Sequence, residues 1–179
     1  MTTYLALLRG VNVGGKAMLK MADLAQALTD TGFERVTTYI QSGNVIVHAD
    51  DKDKQAVAEV IKACIKKDFD LSVEIALFTS AEWREMIEAA PSWWGKDAEW
   101  KHNLLVLTEP VPMKEVVVAI GDLKPDIENM EPGTGVLYQS MSRKLFGRTT
   151  TGKLAASPIY KKMTIRNYNT ATKLLKLLD

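Results

Sequence analysis

Cysteine is nearly absent: Cys64 is the one thiol in 179 residues. No internal disulfide can form, and a reducing, cytoplasmic setting is expected. Histidine is almost as scarce. His48 and His102 stand apart, with neither a cysteine nor a second histidine at ligand spacing, so no metal site is expected. Long apolar runs are missing too, and nothing approaches the length of about 20 residues that crosses a bilayer. The opening stretch, Met1 to Arg9, has too short an apolar run for a signal peptide and no basic region before it. No Ser/His/Asp or Cys/His pairing has supporting local context, which leaves covalent catalysis without a carrier.

Acidic side chains nearly vanish after residue 140. Residues 1–140 hold 14 basic and 21 acidic groups, whereas residues 141–179 hold nine basic groups and one acid, Asp179. The formal net charge of +1 therefore hides an acidic body joined to a basic final segment. Such a segment suits an anionic partner or an internal docking surface, and charge alone does not separate the two.

What is present is a regular alternation of strand and helix signals. Tyr4 to Leu8 reads as a buried strand and Lys20 to Thr31 as an amphipathic helix. Val36 to Ile40 and Val45 to His48 are β-branched runs separated by a hairpin turn, Gln41 to Asn44. The apolar spacing of Val57, Val60, Ile61 and Cys64 predicts a helix over Asp51 to Phe69, and Val73 to Phe78 follows as a strand. The order β-α-β-β-α-β predicts an α+β fold with a ferredoxin-like unit over residues 1–79. Residues 80–179 begin the pattern again. A capping box, Thr79-x-x-Glu82, opens a helix that Pro91 stops. After it come a strand at Asn103 to Leu107, a helix at Met113 to Gly121, and strands at Asp126 to Met130 and Val136 to Ser140. A second, degraded copy of the unit is expected, ending in two helices at Gly152 to Ser157 and Thr170 to Leu178. Trp93, Trp94 and Trp100 read as packing residues between the halves.

Three segments could meet an anion. Arg9-Gly-Val-Asn-Val-Gly-Gly-Lys16 places glycine backbone donors beside two cations, just before a helix. Gly10 to Lys16 matches most of a phosphate-binding P-loop, but Ala17 stands where a magnesium-holding hydroxyl belongs. A glycine loop that only turns the chain is the competing reading. In the expected topology this loop and the Gln41–Asn44 turn share one end of the sheet, and both carry amides able to bond an anionic or sugar-like group. The turn has its own bland reading, Gly and Asn supplying positive φ. The third segment, Thr164 to Thr170, lies before the last helix, where Asn169 or Thr170 would cap and Arg166 would face an oxyanion or an internal carboxylate. The candidate ligand-binding residues are thus Arg9, Asn12, Gly14, Gly15, Lys16, Gln41, Ser42, Asn44, Arg166 and Asn167, with no catalytic residue or cofactor assigned. RNA binding on the sheet face is disfavoured, because strands one and three hold a single aromatic, Tyr4.

These same segments carry a resemblance. Arg9–Lys16, Met21-x-x-Leu24, Thr38-Tyr-Ile-Gln-Ser-Gly-Asn-Val45 and Thr164-x-Arg-Asn-x-Asn-Thr170 together resemble the bacterial family called domain of unknown function 1697. The resemblance implies a small cytoplasmic protein with ferredoxin-like repeats and implies no activity. Tyr168 stands where that family leads one to expect tryptophan, and the stretch from Trp93 to Lys144 matches only loosely. The expected function is binding of a phosphate-bearing or other anionic ligand, a nucleotide or nucleic-acid backbone among them. The alternatives are a transferase or hydrolase acting on a phosphorylated small molecule, and a protein–protein module.

Overall fold

The computed structural model describes residues 1–15, 18–50 and 53–178. Among the described residues it holds two four-stranded antiparallel sheets and six α-helices. The chain divides into two compact units, residues 1–84 with 174–179, and residues 85–173.

The first unit runs β1 (Thr2–Leu8), α1 (Met21–Asp30), β2 (Glu34–Tyr39), β3 (Asn44–Ala49), α2 (Lys54–Phe69) and β4 (Ile75–Thr79), with sheet order β2-β3-β1-β4. β1 is central and every residue from Tyr4 to Leu8 is buried, which is why the segment reads as an unbroken apolar run. Its even positions, Tyr4, Ala6 and Leu8, join Val45 and Val47 of β3 in one core with Leu24 and Leu28 of α1 and Val57, Ile61, Cys64 and Ile65 of α2. Val60, expected on that apolar face, is 44% exposed, and Ile65 takes its place. α2 also starts later than the periodicity suggested. Asp53 caps it, its side chain accepting from Gln55 N at 2.9 Å, while Asp51, in the predicted helix, lies outside the described residues.

α3 (Ser80–Glu88) opens as expected from the capping box. Glu82 N donates to Thr79 Oγ1 at 3.2 Å and Thr79 N donates to Glu82 Oε2 at 2.8 Å. The second unit then runs β5 (Trp100–Leu107), α4 (Met113–Ile120), β6 (Glu128–Gly133), β7 (Val136–Ser142), α5 (Thr151–Ala156), β8 (Met163–Asn167) and α6 (Tyr168–Leu178), whose last turns belong to the first unit. The order β6-β7-β5-β8 repeats that of the first sheet. β8 was not expected. It is five residues long and includes Thr164 and Arg166, and it pairs with β5 from Asn103↔Asn167 to Leu107↔Met163. β6 lies later than the expected Asp126–Met130, because it runs through Pro132 and Gly133 rather than stopping before them.

Both sheets begin with a blunted edge. The pairing of β2 shifts register between Glu34 and Thr37, with Arg35 at φ 46°, and β6 carries Pro132. A bulge and a missing N–H donor are devices that discourage another strand from adding there.

Candidate functional site

The loop after β1 and the turn between β2 and β3 come together, as their shared sheet end required. The carboxamide of Asn12 does this. Asn12 Nδ2 donates to Leu19 O and to Gln41 O, both at 2.8 Å, and Asn12 Oδ1 accepts from Leu19 N at 2.7 Å. One amide thus imitates a strand partner for Leu19 and also ties the loop to the hairpin. Asn12 itself sits at φ 56°, a conformation Asn adopts more readily than most residues. Below it, Val11 and Leu19 are buried in the core and anchor both ends of the loop.

The hairpin is locked from beneath. Leu8 N donates to Gly43 O at 2.8 Å, and a Cβ on Gly43 would lie 2.6 Å from Val11 Cγ2 and 2.8 Å from Leu8 Cβ. Asn44 is fully buried, with Nδ2 donating to Tyr39 O at 2.9 Å and to Ser42 Oγ at 3.0 Å. The positive φ angles of the turn fall on Ile40 and Gly43, not on Asn44, whose part is to close the turn through its side chain.

The candidate residues therefore divide by chemistry. Asn12 and Asn44 spend their amides on the protein's own backbone and hold the loop in shape. Gly14 and Gly15 are exposed, at φ 59° and 73°, with nothing within 4 Å of an added Cβ, so their backbone is open to a ligand. Gln41 is exposed, Ser42 is half-buried, and Arg9 is half-buried with its N donating to Glu74 O at 2.9 Å. Lys16 lies outside the described residues.

Arg166 and Asn167 belong to the second unit. Arg166, opposite Leu104 in the β5–β8 ladder, is 4% exposed, and its Nη1 donates to Thr164 Oγ1 and to Ile165 O, both at 2.8 Å. Burial lowers the guanidinium pKa to about 10, since the charged form loses water. Asn167 is the cap of α6: its Oδ1 accepts from Thr170 N at 2.9 Å. The role expected of Asn169 or Thr170 falls two or three residues earlier, because α6 begins at Tyr168. Near it Trp94 is buried edge-on to Tyr138 and Tyr168, with Nε1 donating to Asn103 O at 2.9 Å.

Two features escaped the sequence reading. One is an open groove of ≈ 740 Å³ in the second unit, lined by Val111, Val118 and Ile159 with Lys114, Glu115 and Lys162. Lys162 pairs with Glu109 at 3.2 Å, so charges of both signs meet there and no anion preference arises. The other is an exposed basic and apolar segment after β7, taken up below. Among the described residues no group of three His, Cys, Asp or Glu side chains could hold a metal ion, and no helix is long and apolar enough to cross a membrane.

The family described as "Protein of unknown function (DUF1697)" matches residues 1–138, which include the loop after β1, the hairpin and the Asn12 clasp between them. The chain belongs to this family. The family match ends inside β7, but structural likeness continues beyond it. The solved structure of the conserved bacterial protein SP0830 from Streptococcus pneumoniae is 30% identical, covers 99% of each chain and superposes with a TM-score of 0.87. No curated protein matches.

Proposed function

We propose that the protein binds a phosphate-bearing or similarly anionic ligand at the end of the first sheet where the loop after β1 meets the hairpin. The observation that carries this reading is the Asn12 clasp. It joins segments 29 residues apart and leaves Gly14, Gly15 and the Gln41 side chain facing solvent. Exposed backbone N–H groups of left-handed glycines are suited to an anion, and in the sequence the loop is flanked by two cationic residues, Arg9 and Lys16. Arg166, buried in β8, and Asn167, exposed but spent as the cap of α6, are left out of this site. A cytoplasmic setting fits the lone thiol, buried in the first core. Each sheet with its helices reads as a ferredoxin-like unit, supported by the two strand orders β2-β3-β1-β4 and β6-β7-β5-β8.

Thermal denaturation with inorganic phosphate, nucleoside mono-, di- and triphosphates is the test. A ligand at 100 times its Kd stabilises by about 2.7 kcal/mol. The expected result is a rise in Tm for at least one phosphate compound that disappears in Arg9→Ala/Lys16→Ala. The reading fails if no compound moves Tm, or if the double variant keeps the full shift.

A further inference from the structure

The segment between β7 and α5 is unusual for its company. Arg143, Lys144, Leu145, Phe146, Gly147 and Arg148 are six consecutive exposed residues, three of them cationic and two of them large and apolar. Leu145 is 37% and Phe146 47% exposed. Lys101 of β5 sits over the Phe146 ring, its Nζ 5.6 Å from the centroid, and adds a fourth cation. Opposing charge is sparse: Lys144 lies 3.6 Å from Glu99, both well exposed, and among the described residues no ion pair is made by Lys101, Arg143 or Arg148. The backbone is nevertheless ordered by its own bonds. Arg148 N donates to Leu145 O at 2.8 Å, Thr149 N to Phe146 O at 3.1 Å, and Lys124 Nζ to Arg148 O at 2.5 Å.

From this grouping we infer that the 143–148 segment with Lys101 is a binding surface for single-stranded nucleic acid, distinct from the anion loop of the first unit. The chemistry is that of a stacking platform. A half-exposed aromatic ring offers a face to a base, and cations around it neutralise the flanking phosphates. An anionic lipid surface shares the charge requirement, but membrane entry needs apolar side chains that project. Phe146 is instead partly covered by the Lys101 ammonium, 5.6 Å from the ring centroid, a cation placed where a phosphate flanking a stacked base would lie. The face of the first sheet offers no ring of this kind, since Tyr4, the aromatic of its central strands β1 and β3, is buried in the core. Three of the nine basic residues of 141–179, Arg143, Lys144 and Arg148, thereby gain an acceptor of matching sign.

The test is fluorescence anisotropy with a labelled oligothymidylate of about 12 nucleotides, inside the usual span of such sites, titrated at several salt concentrations. Phe146→Ala is expected to weaken binding about 5- to 100-fold with the salt slope unchanged, and Phe146→Trp to restore it. Arg143→Ala and Arg148→Ala are each expected to flatten the slope of log K against log salt by about 0.7. A duplex of the same length should bind more weakly, because its bases are already stacked. Anionic phosphatidylserine vesicles form the competing arm. Binding to vesicles with none to the oligonucleotide overturns the inference in favour of a membrane contact. Binding to neither, or an affinity for the oligonucleotide indifferent to Phe146→Ala, overturns it outright. Exposure of every altered side chain means the variants keep their fold, which circular dichroism would verify. The phosphate response of the first unit is a separate measurement, so either proposal can fail alone.

Discussion

Asn12 and Gly43 hold the candidate anion loop by opposite means, one by reaching and one by being small. Asn12 supplies three short hydrogen bonds from one carboxamide. Gly43 supplies room, because a methyl group there would overlap Val11 and Leu8 while the backbone sits at φ 75°. Gly43→Ala is therefore expected to destabilise the protein by about 2–4 kcal/mol, left-handed strain adding to overpacking. Urea denaturation measures it, and a loss under about 0.5 kcal/mol, the size of an ordinary surface change, would show that the hairpin yields. The sequence marked Gly43 and Asn44 as turn residues, yet the positive φ beside Gly43 falls on Ile40. Asn44 is used for its side chain, which no propensity distinguishes from use of its backbone. Cys64 shows similar limits. Its helix face was legible, but its raised thiol pKa comes from burial and then from Asp68 one turn on, a matter of rotamer.

Among the elements, α3 is the one whose start was written most plainly. Thr79 and Glu82 close a reciprocal cap within four residues, so nothing distant is needed to specify it. Removing the hydroxyl in Thr79→Ala should cost about 0.5–2 kcal/mol. Glu82 adds a pH signature. Burial raises its pKa, but hydrogen bonds from Lys54 and from Thr79 outweigh that and hold it below 4.5. A carboxylate whose pKa is lowered by folding stabilises the native state above its unfolded pKa, and the benefit fades as pH falls through the folded value. Glu82→Gln should accordingly flatten the loss of Tm between about pH 5 and 3. A variant with the wild-type acid profile would contradict this cap. β8 is the contrary case. Thr164 and Arg166 look like a polar loop, and only the ladder with β5, some 60 residues earlier in the chain, makes them a strand. Long-range pairing of that kind leaves no local periodicity to read.

Charge is the property that belongs to the chain as a whole. Net charge of +1 and a pI near 7.8 predict a solubility minimum close to that pH, sharpest at low salt, where opposite patches on neighbouring molecules attract. Solubility that fell steadily toward either side of neutrality would contradict it. Apolar spacing, β-branched runs and glycine-marked turns were enough to determine the α+β class and the strand–helix order of the first unit, while membership of the family rested on the resemblance of its motifs. These are local signals, each set by the few residues that form the element. The tertiary structure alone decided which polar groups remain for a ligand. Asn12, Asn44, Arg166 and Asn167 had the composition of a site but found partners within the protein, while Phe146 and its surrounding cations were left facing water. Burial and hydrogen-bond pairing depend on residues remote in sequence, and so become visible only once the chain has closed on itself.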